Sequence, residues 1–224
     1  MRDLPRYFVT GTDTGVGKTE VAAALLSLLA DAGLAPGALK PYESGCADVE
    51  QPADALALRA AARSDDPLGT ISLHRFRARL APGIAAERLG LNPSWMETLK
   101  AFRAFQGRAL VVEGAGGLLV PLDRRHQVID FISATKLPVV LVARAGLGTL
   151  NHTGLSLLAL RKRRIRVRAV VLVHSQPGRD ASTRENARWL ERRDGVAVLG
   201  PVRFTANAEE RRASFRKHLR PLLG

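Results

Sequence analysis

Residues 11–19 run Gly-Thr-Asp-Thr-Gly-Val-Gly-Lys-Thr, after the apolar Tyr7-Phe8-Val9 and before the helix-patterned Val21-Ala22-Ala23-Ala24-Leu25-Leu26. A strand that feeds a glycine-rich loop and then a helix restricts the chain to α/β architectures, because the loop must leave the end of a strand and enter a helix at once. In such a loop successive backbone N–H groups converge on one concavity and meet phosphate oxygens. The helix that starts near Lys18 adds its positive N-terminal end. Thr12, Asp13, Thr14, Gly15, Val16 and Gly17 therefore form the cradle, Lys18 reaches the β- and γ-phosphates of a nucleoside triphosphate, and Thr19 offers its hydroxyl to Mg²⁺. The common G-x-x-x-x-G-K-[ST] spacing would put a glycine where Thr12 stands; Gly11 lies one residue earlier. The loop is thus one residue longer than usual, a property of a subset of P-loop proteins.

Apolar, β-rich runs alternate with helical patterns along the rest of the chain. Strands are predicted at Tyr7–Thr10, Ala38–Lys40, Ala109–Glu113, Val139–Ala143, Ala169–His174 and Val196–Leu199. Helices are predicted at Lys18–Ala32, Asp54–Ala62, Ser94–Gln106, Val128–Thr135, Thr149–Lys162 and Thr183–Arg193. This alternation predicts βαβ units and a parallel sheet. The strands at 109–112 and 139–142 are apolar at every position, as strands buried on both faces are. The expected fold is a single-domain P-loop α/β fold over residues 1–224, a mostly parallel sheet with helices on both faces. Residues 64–91, with Gly, Pro and scattered Arg, read as a loop or lid.

A length of 224 residues fits one domain with a sizeable core. The single cysteine, Cys46, excludes an internal disulfide and fits a reducing cytoplasm; with no histidine near it in sequence it reads as a small loop residue. No apolar run approaches the ~20 residues that span a bilayer, and residues 1–5 lack the apolar core of a signal peptide. A cytoplasmic protein that engages no membrane is expected. The net charge of +13 raises the question of nucleic acid. The basic residues are mostly arginines in the C-terminal half (Arg161 to Arg164, Arg192-Arg193, Arg211-Arg212), and aromatics make up only 5% of the chain, so base stacking is poorly supplied. A solvated arginine-rich surface is the simpler reading, and no nucleic-acid partner is expected.

Ligands of parallel sheets bind outside the carboxyl ends of the strands. Lys40-Pro41 falls at such an end, and Lys40 would stand over the phosphates as a second cation able to stabilise a transferring phosphoryl group. Glu113 ends an apolar strand and is followed by Gly114-Ala115-Gly116-Gly117, which permits close backbone approach; its carboxylate can join Thr19 on Mg²⁺, an ion that takes oxygen ligands. Asp54 opens a helical pattern and, taken alone, is a helix N-cap.

Gly11–Thr19, Lys40-Pro41, Asp54-Ala-Leu-Ala-Leu58, Glu113-Gly-Ala-Gly-Gly-Leu-Leu-Val-Pro-Leu122 and Leu147-Gly-Thr-Leu-Asn-His152 occur in this order. Together they resemble the dethiobiotin synthetases, over residues 7 to 160; Phe76 and Ala81-Pro82 also resemble that family's substrate loop. The resemblance implies closure of a ureido ring from diaminopelargonate and CO₂ (or bicarbonate), with ATP as co-substrate and Mg²⁺. It implies that Lys18 and Lys40 hold phosphate and carbamate oxygens, that Ser44 contacts the carbamate and Thr14 the phosphate, and that Thr19, Asp54 and Glu113 hold the metal. Gly116 would join the nucleotide site. It further implies a homodimer in which Gly148, Thr149, Leu150 and Asn151, at the start of a helix, take the substrate's carboxylate from across the interface.

Two departures concern the nucleotide base. Where the family commonly has an Asn at the end of the fifth strand, this chain has His174, in Val173-His174-Ser175, and Gly200-Pro201-Val202-Arg203-Phe204 departs from the family's Gly-x-x-Pro. His174, Pro201 and Arg203 are the expected base-side residues, with the base identity open. The competing reading is a partitioning-type P-loop ATPase that binds DNA or membrane; such ATPases carry a second lysine in the loop, at the position Asp13 occupies here. An amidotransferase-type synthetase would need a further glutamine-hydrolysing domain.

Overall fold

In the computed structural model, residues 4–174 and 182–223 are described. Met1-Arg2-Asp3 of the N-terminal reading and Ser175 of the 173–175 motif lie outside the described residues. In chain order the elements are β1 (Arg6–Gly11), α1 (Lys18–Asp31), β2 (Gly37–Leu39), β3 (Tyr42–Ser44), α2 (Ala53–Ala62), α3 (Leu68–Ile71), β4 (His74–Phe76), α4 (Pro82–Arg88), α5 (Trp95–Arg103) and β5 (Leu110–Gly117). They continue with α6 (Val128–Thr135), β6 (Val139–Arg144), α7 (Thr149–Lys162), β7 (Val167–Val173), α8 (Ser182–Asp194), β8 (Val198–Val202), α9 (Ala208–Leu219) and a 3₁₀ turn (Arg220–Leu223).

Six strands form one sheet in the order β2-β5-β1-β6-β7-β8, every neighbouring pair parallel. From β1 the chain moves to one side for β2 and β5, then to the other for β6, β7 and β8. The order thus reverses around β1, and the crevice at its carboxyl end is where such sheets bind ligands. The α/β fold with a mostly parallel sheet is as expected. Consecutive strand residues face opposite layers: Val140 and Val142 join a core with α1, α2 and α9, while Val139 and Leu141 join a core with α6, α7 and α8. That explains why these strands are apolar throughout.

The C-terminal third docks back on the fold. Phe215 and Leu219 of α9 are buried, the Tyr7 hydroxyl donates to the Leu222 carbonyl, and Arg216 pairs with Asp31 of α1. Many arginines here have partners: Arg161 with Asp194 (3.2 Å), Arg163 with Asp130 (3.0 Å) and Arg211 with Glu20 (3.2 Å). Among the described residues no helix is long and apolar enough to cross a membrane.

Four local readings change. Asp54 is not an N-cap: α2 starts one residue earlier, with Pro52 at the cap position and Asp54 second in the helix. Glu113 does not end its strand, because β5 continues through the glycines to Gly117, with a register shift against β1 between Val9 and Gly11. Residues 64–91 are not one loop: they contain α3, β4 and α4, and β4 pairs in parallel with β3 as a small second sheet. These elements are three to seven residues long, too short for a periodic apolar signal. Helix α9 adds an element that the apolar pattern does not signal, because only Phe215 and Leu219 of its twelve residues are buried. A start signal is present nonetheless: the Asn207 side chain accepts the N–H groups of Glu209 and Glu210.

Candidate active site

The loop between β1 and α1 is held from both sides. Gly17 takes φ +99° as the N-cap of α1, a conformation that favours glycine, and makes no side-chain cap. The first N–H groups of α1 therefore keep their capacity for an anion. Lys18 is 8% exposed, and its ammonium donates to the Asp13 carbonyl at 2.8 Å. Burial, with Lys40 nearby, lowers the Lys18 pKa to about 8, although Glu113 and other carboxylates pull the other way. Asp13 also receives the Thr14 N–H (2.7 Å), which fixes the turn at the loop's tip. Gly116 in β5 approaches the loop closely at φ +61°: a Cβ there would lie 3.3 Å from Thr14 Oγ1 and 2.8 Å from Val120 Cγ2.

Lys40 follows β2, 6% exposed, and its ammonium donates to Glu113 Oε1 (2.7 Å) and to Asp54 Oδ2. Burial alone would lower its pKa; Glu113 and Asp54 outweigh it and hold the ammonium above its ordinary range. Glu113 Oε1 also accepts from the Thr19 hydroxyl (2.9 Å). One carboxylate oxygen, on β5, thus ties the phosphate loop that follows β1 to the second cation that follows β2. The other, Glu113 Oε2, is buried with no hydrogen-bond partner among the described residues, and so is Ser44 Oγ.

Lys40-Pro41 carries the chain from the main sheet to β3, where Tyr42 is anchored by Thr98 (3.0 Å) and lies against His74 with ring centroids 4.8 Å apart. This anchor sets Glu43 and Ser44. Sequence reasoning missed Glu43: it is 4% exposed, and its carboxylate accepts the N–H groups of Asp54 (2.9 Å) and Ala55 (3.2 Å). The only signal was a carboxylate beside Lys40-Pro41 and a helix preceded by a proline, which has no side-chain oxygen. It also missed Arg79, exposed at the rim.

A cavity of about 680 Å³ is lined by Thr14, Gly15, Gly17, Lys18, Thr19, Lys40, Ser44, Asp54, Glu113, Gly116 and, from the 64–91 segment, Arg79 to Pro82. A second groove, about 640 Å³, shares Thr19, Glu20 and Asp54 with it but holds none of Lys18, Lys40 or Glu113; it runs between α1, α2 and α9. Thr12 and Val16 belong to the loop without lining the main cavity, and Val16 is buried in the core. His174 lies at the end of β7, half-buried, its N–H on the Val202 carbonyl (2.9 Å), and neighbouring Val173 packs over Gly17. Pro201 and Arg203 lie at the end of the adjacent strand, β8. None of His174, Pro201 and Arg203 lines the cavity, nor do Gly148, Thr149, Leu150 and Asn151 at the start of α7. The structure brings the phosphate, cation and oxygen-donor residues together and leaves these two groups apart from them.

A sequence-family model described as an AAA domain matches residues 5–211. An ATP-dependent dethiobiotin synthetase of Anaeromyxobacter dehalogenans is 47% identical over 197 residues, covering 86% of this chain and 88% of the relative. One from another Anaeromyxobacter strain is 42% identical over 214 residues, covering 95% of this chain and 96% of that one. One from Haloferax mediterranei is 40% identical over 218 residues, covering 95% and 90%. At these identities and coverages, with the phosphate loop, Lys40 and Glu113 around one cavity, the chain belongs to the ATP-dependent dethiobiotin synthetases, the ATP-using ligases of biotin biosynthesis.

Proposed function

We propose that the chain, working as one unit over residues 1–224, closes the ureido ring of dethiobiotin from diaminopelargonate and CO₂ with ATP. One amine adds to CO₂; an N–C bond forms, a proton leaves, and a carbamate results. A carbamate oxygen attacks the γ-phosphorus; the new O–P bond forms as the bond to ADP breaks, giving a carbamic–phosphoric anhydride. The second amine attacks the carbonyl carbon, the C–O bond to phosphate breaks, and phosphate and a proton depart. No covalent enzyme group is needed, so the protein's task is positioning and charge stabilisation.

The observation that carries this reading is the double role of Glu113 Oε1, which holds the Thr19 hydroxyl and the Lys40 ammonium at once. Lys40 stays charged and fixed beside the phosphate loop, suited to the carbamate and γ-phosphate oxygens. Lys18 serves the β- and γ-phosphates, whose charge would hold its proton. Ser44 Oγ, buried without a partner, suits a carbamate oxygen, and Thr14 a phosphate oxygen. Thr19, Asp54 and Glu113 would hold Mg²⁺; the partnerless Glu113 Oε2 and an all-oxygen donor set fit a hard cation. Bound there, the ion supplies positive charge to the phosphates.

A C₂ homodimer is supported by the start of α7. Gly148 caps it in the left-handed region without a side-chain hydrogen bond, leaving N–H groups suited to a carboxylate, and the segment lies outside the chain's own cavity. Leu155 and Leu158 of α7 are 59% and 63% exposed, an apolar face for a second copy. Nucleotide hydrolysis that requires both diaminopelargonate and bicarbonate, by a species that light scattering shows to be a dimer, tests the proposal. Hydrolysis stimulated by DNA instead would favour the partitioning-type alternative, and an active monomer would end the shared-site reading.

A further inference from the structure

Helix α2 begins without a cap of its own. Pro52 holds the cap position at φ −65°, ψ 122°, and makes no side-chain hydrogen bond. Normally a Ser, Thr, Asp or Asn there accepts the N–H of the second or third helical residue. Those two donors are nevertheless taken. Glu43, upstream in β3, accepts Asp54 N–H on Oε1 at 2.9 Å and Ala55 N–H on Oε2 at 3.2 Å. Burying a carboxylate to 4% exposure is costly unless donors meet it, and a helix N-terminus supplies donors for both oxygens and a favourable dipole. Glu43 is itself held by parallel pairing of β3 with β4, opposite Arg75. The residue whose N–H it grips is the one whose side chain receives the Lys40 ammonium.

We propose that Glu43 is a positioning residue: it caps α2 from another strand and so holds Asp54 in place against Lys40 and at the metal position. This rests on the reading of Asp54 as a magnesium ligand. Glu43 does not line the main cavity; it acts through the first turn of α2. Losing it would free that turn and leave the Asp54 side chain, 38% exposed, held among the described residues by the Lys40 ammonium alone.

The test measures Mn²⁺ affinity by electron paramagnetic resonance, with a non-hydrolysable ATP analogue present, alongside steady-state kinetics at varied Mg²⁺. Glu43→Ala is expected to weaken Mn²⁺ by about tenfold, the usual scale for groups that orient a ligand, while kcat at saturating Mg²⁺ changes little. Glu43→Gln, which keeps an acceptor oxygen and the shape, should fall between it and the native chain, and it carries the test if the alanine variant does not fold. In an Asp54→Asn background Glu43→Ala should add almost nothing. Pro52→Ser, which gives α2 an ordinary cap, should recover much of the loss in Glu43→Ala.

If Asp54→Asn leaves Mn²⁺ affinity unchanged, the metal reading of Asp54 fails and this inference with it. If Asp54→Asn weakens binding but neither Glu43 variant does, the inference alone is overturned. It is also overturned if Glu43→Ala costs the same factor with and without Asp54, or if Pro52→Ser restores nothing in a folded double variant.

Discussion

The Lys40 ammonium lies 2.7 Å from Glu113 Oε1, with Lys40 and Glu113 side chains 7% and 1% exposed. A pair this buried is costly to split, because the partner left behind is an uncompensated charge. Lys40→Met should therefore lower folding stability by about 3–5 kcal/mol as well as abolish turnover. Lys40→Met combined with Glu113→Gln should regain most of that stability and none of the activity. Denaturant unfolding of the native chain, both single variants and the double variant checks this, and strictly additive losses would contradict it.

Lys18 makes the opposite demand on the fold. Its folded pKa is about 8, against an ordinary value of 10.5. Between those values the unfolded chain binds more protons, so this group's contribution makes stability rise with pH. From about pH 7.5 to about pH 9.5 the gain should be about 2 kcal/mol relative to Lys18→Met, which has nothing to titrate. Lys40, held above its ordinary range, adds stability that is complete below 10.5 and lost only above it. Urea unfolding of both proteins at the two pH values decides the point; parallel pH profiles would show that Lys18 is not held as described.

Gly116 lies where β5 meets the phosphate loop. Gly116→Ala would put a methyl group 2.8 Å from Val120 Cγ2 and 3.3 Å from Thr14 Oγ1, at φ +61°. The expected cost is about 1–3 kcal/mol of stability, with a raised KM for ATP and a smaller effect on the KM for the diamine. Equal changes in both KM values would place the disturbance elsewhere.

His174 stands at the end of β7, where the family commonly has Asn. An Asn amide presents an acceptor and donors side by side and can pair with adenine at two points; an imidazole cannot. The missing pair is worth about 1–3 kcal/mol, so ATP should outcompete GTP and CTP only weakly, and His174→Asn should sharpen the preference. Ratios of kcat/KM across ATP, GTP, CTP and UTP give the answer. A strong ATP preference unchanged in His174→Ala would mean that backbone groups near Pro201 and Arg203 read the base.

The phosphate loop, the strand-end lysine and the buried strands are legible in the sequence because each is a local pattern: a glycine spacing, a Lys-Pro step, an unbroken apolar run. What stays hidden depends on distance along the chain. Nothing near Asp54 says that its N–H belongs to Glu43, and nothing in β3 or β4 says that two such short strands pair across the α2 and α3 segment between them. Asp54 and Glu113 are both recognisable as oxygen donors, but only the fold brings both onto the Lys40 ammonium. The Arg-rich C-terminal third reads as a uniform basic surface, whereas Arg161, Arg163, Arg211 and Arg216 are drawn into pairs with acids elsewhere. Charge composition carries no information about such pairing.

The most direct measurement supplies the purified protein with diaminopelargonate, ¹³C-bicarbonate, ATP and Mg²⁺ and follows the products by mass spectrometry. The account predicts dethiobiotin with the label in its ureido carbonyl, one ADP and one phosphate for each ring closed, and loss of all three in Lys40→Met. ATP hydrolysis that proceeds equally without the diamine, with no labelled ring formed, would contradict it.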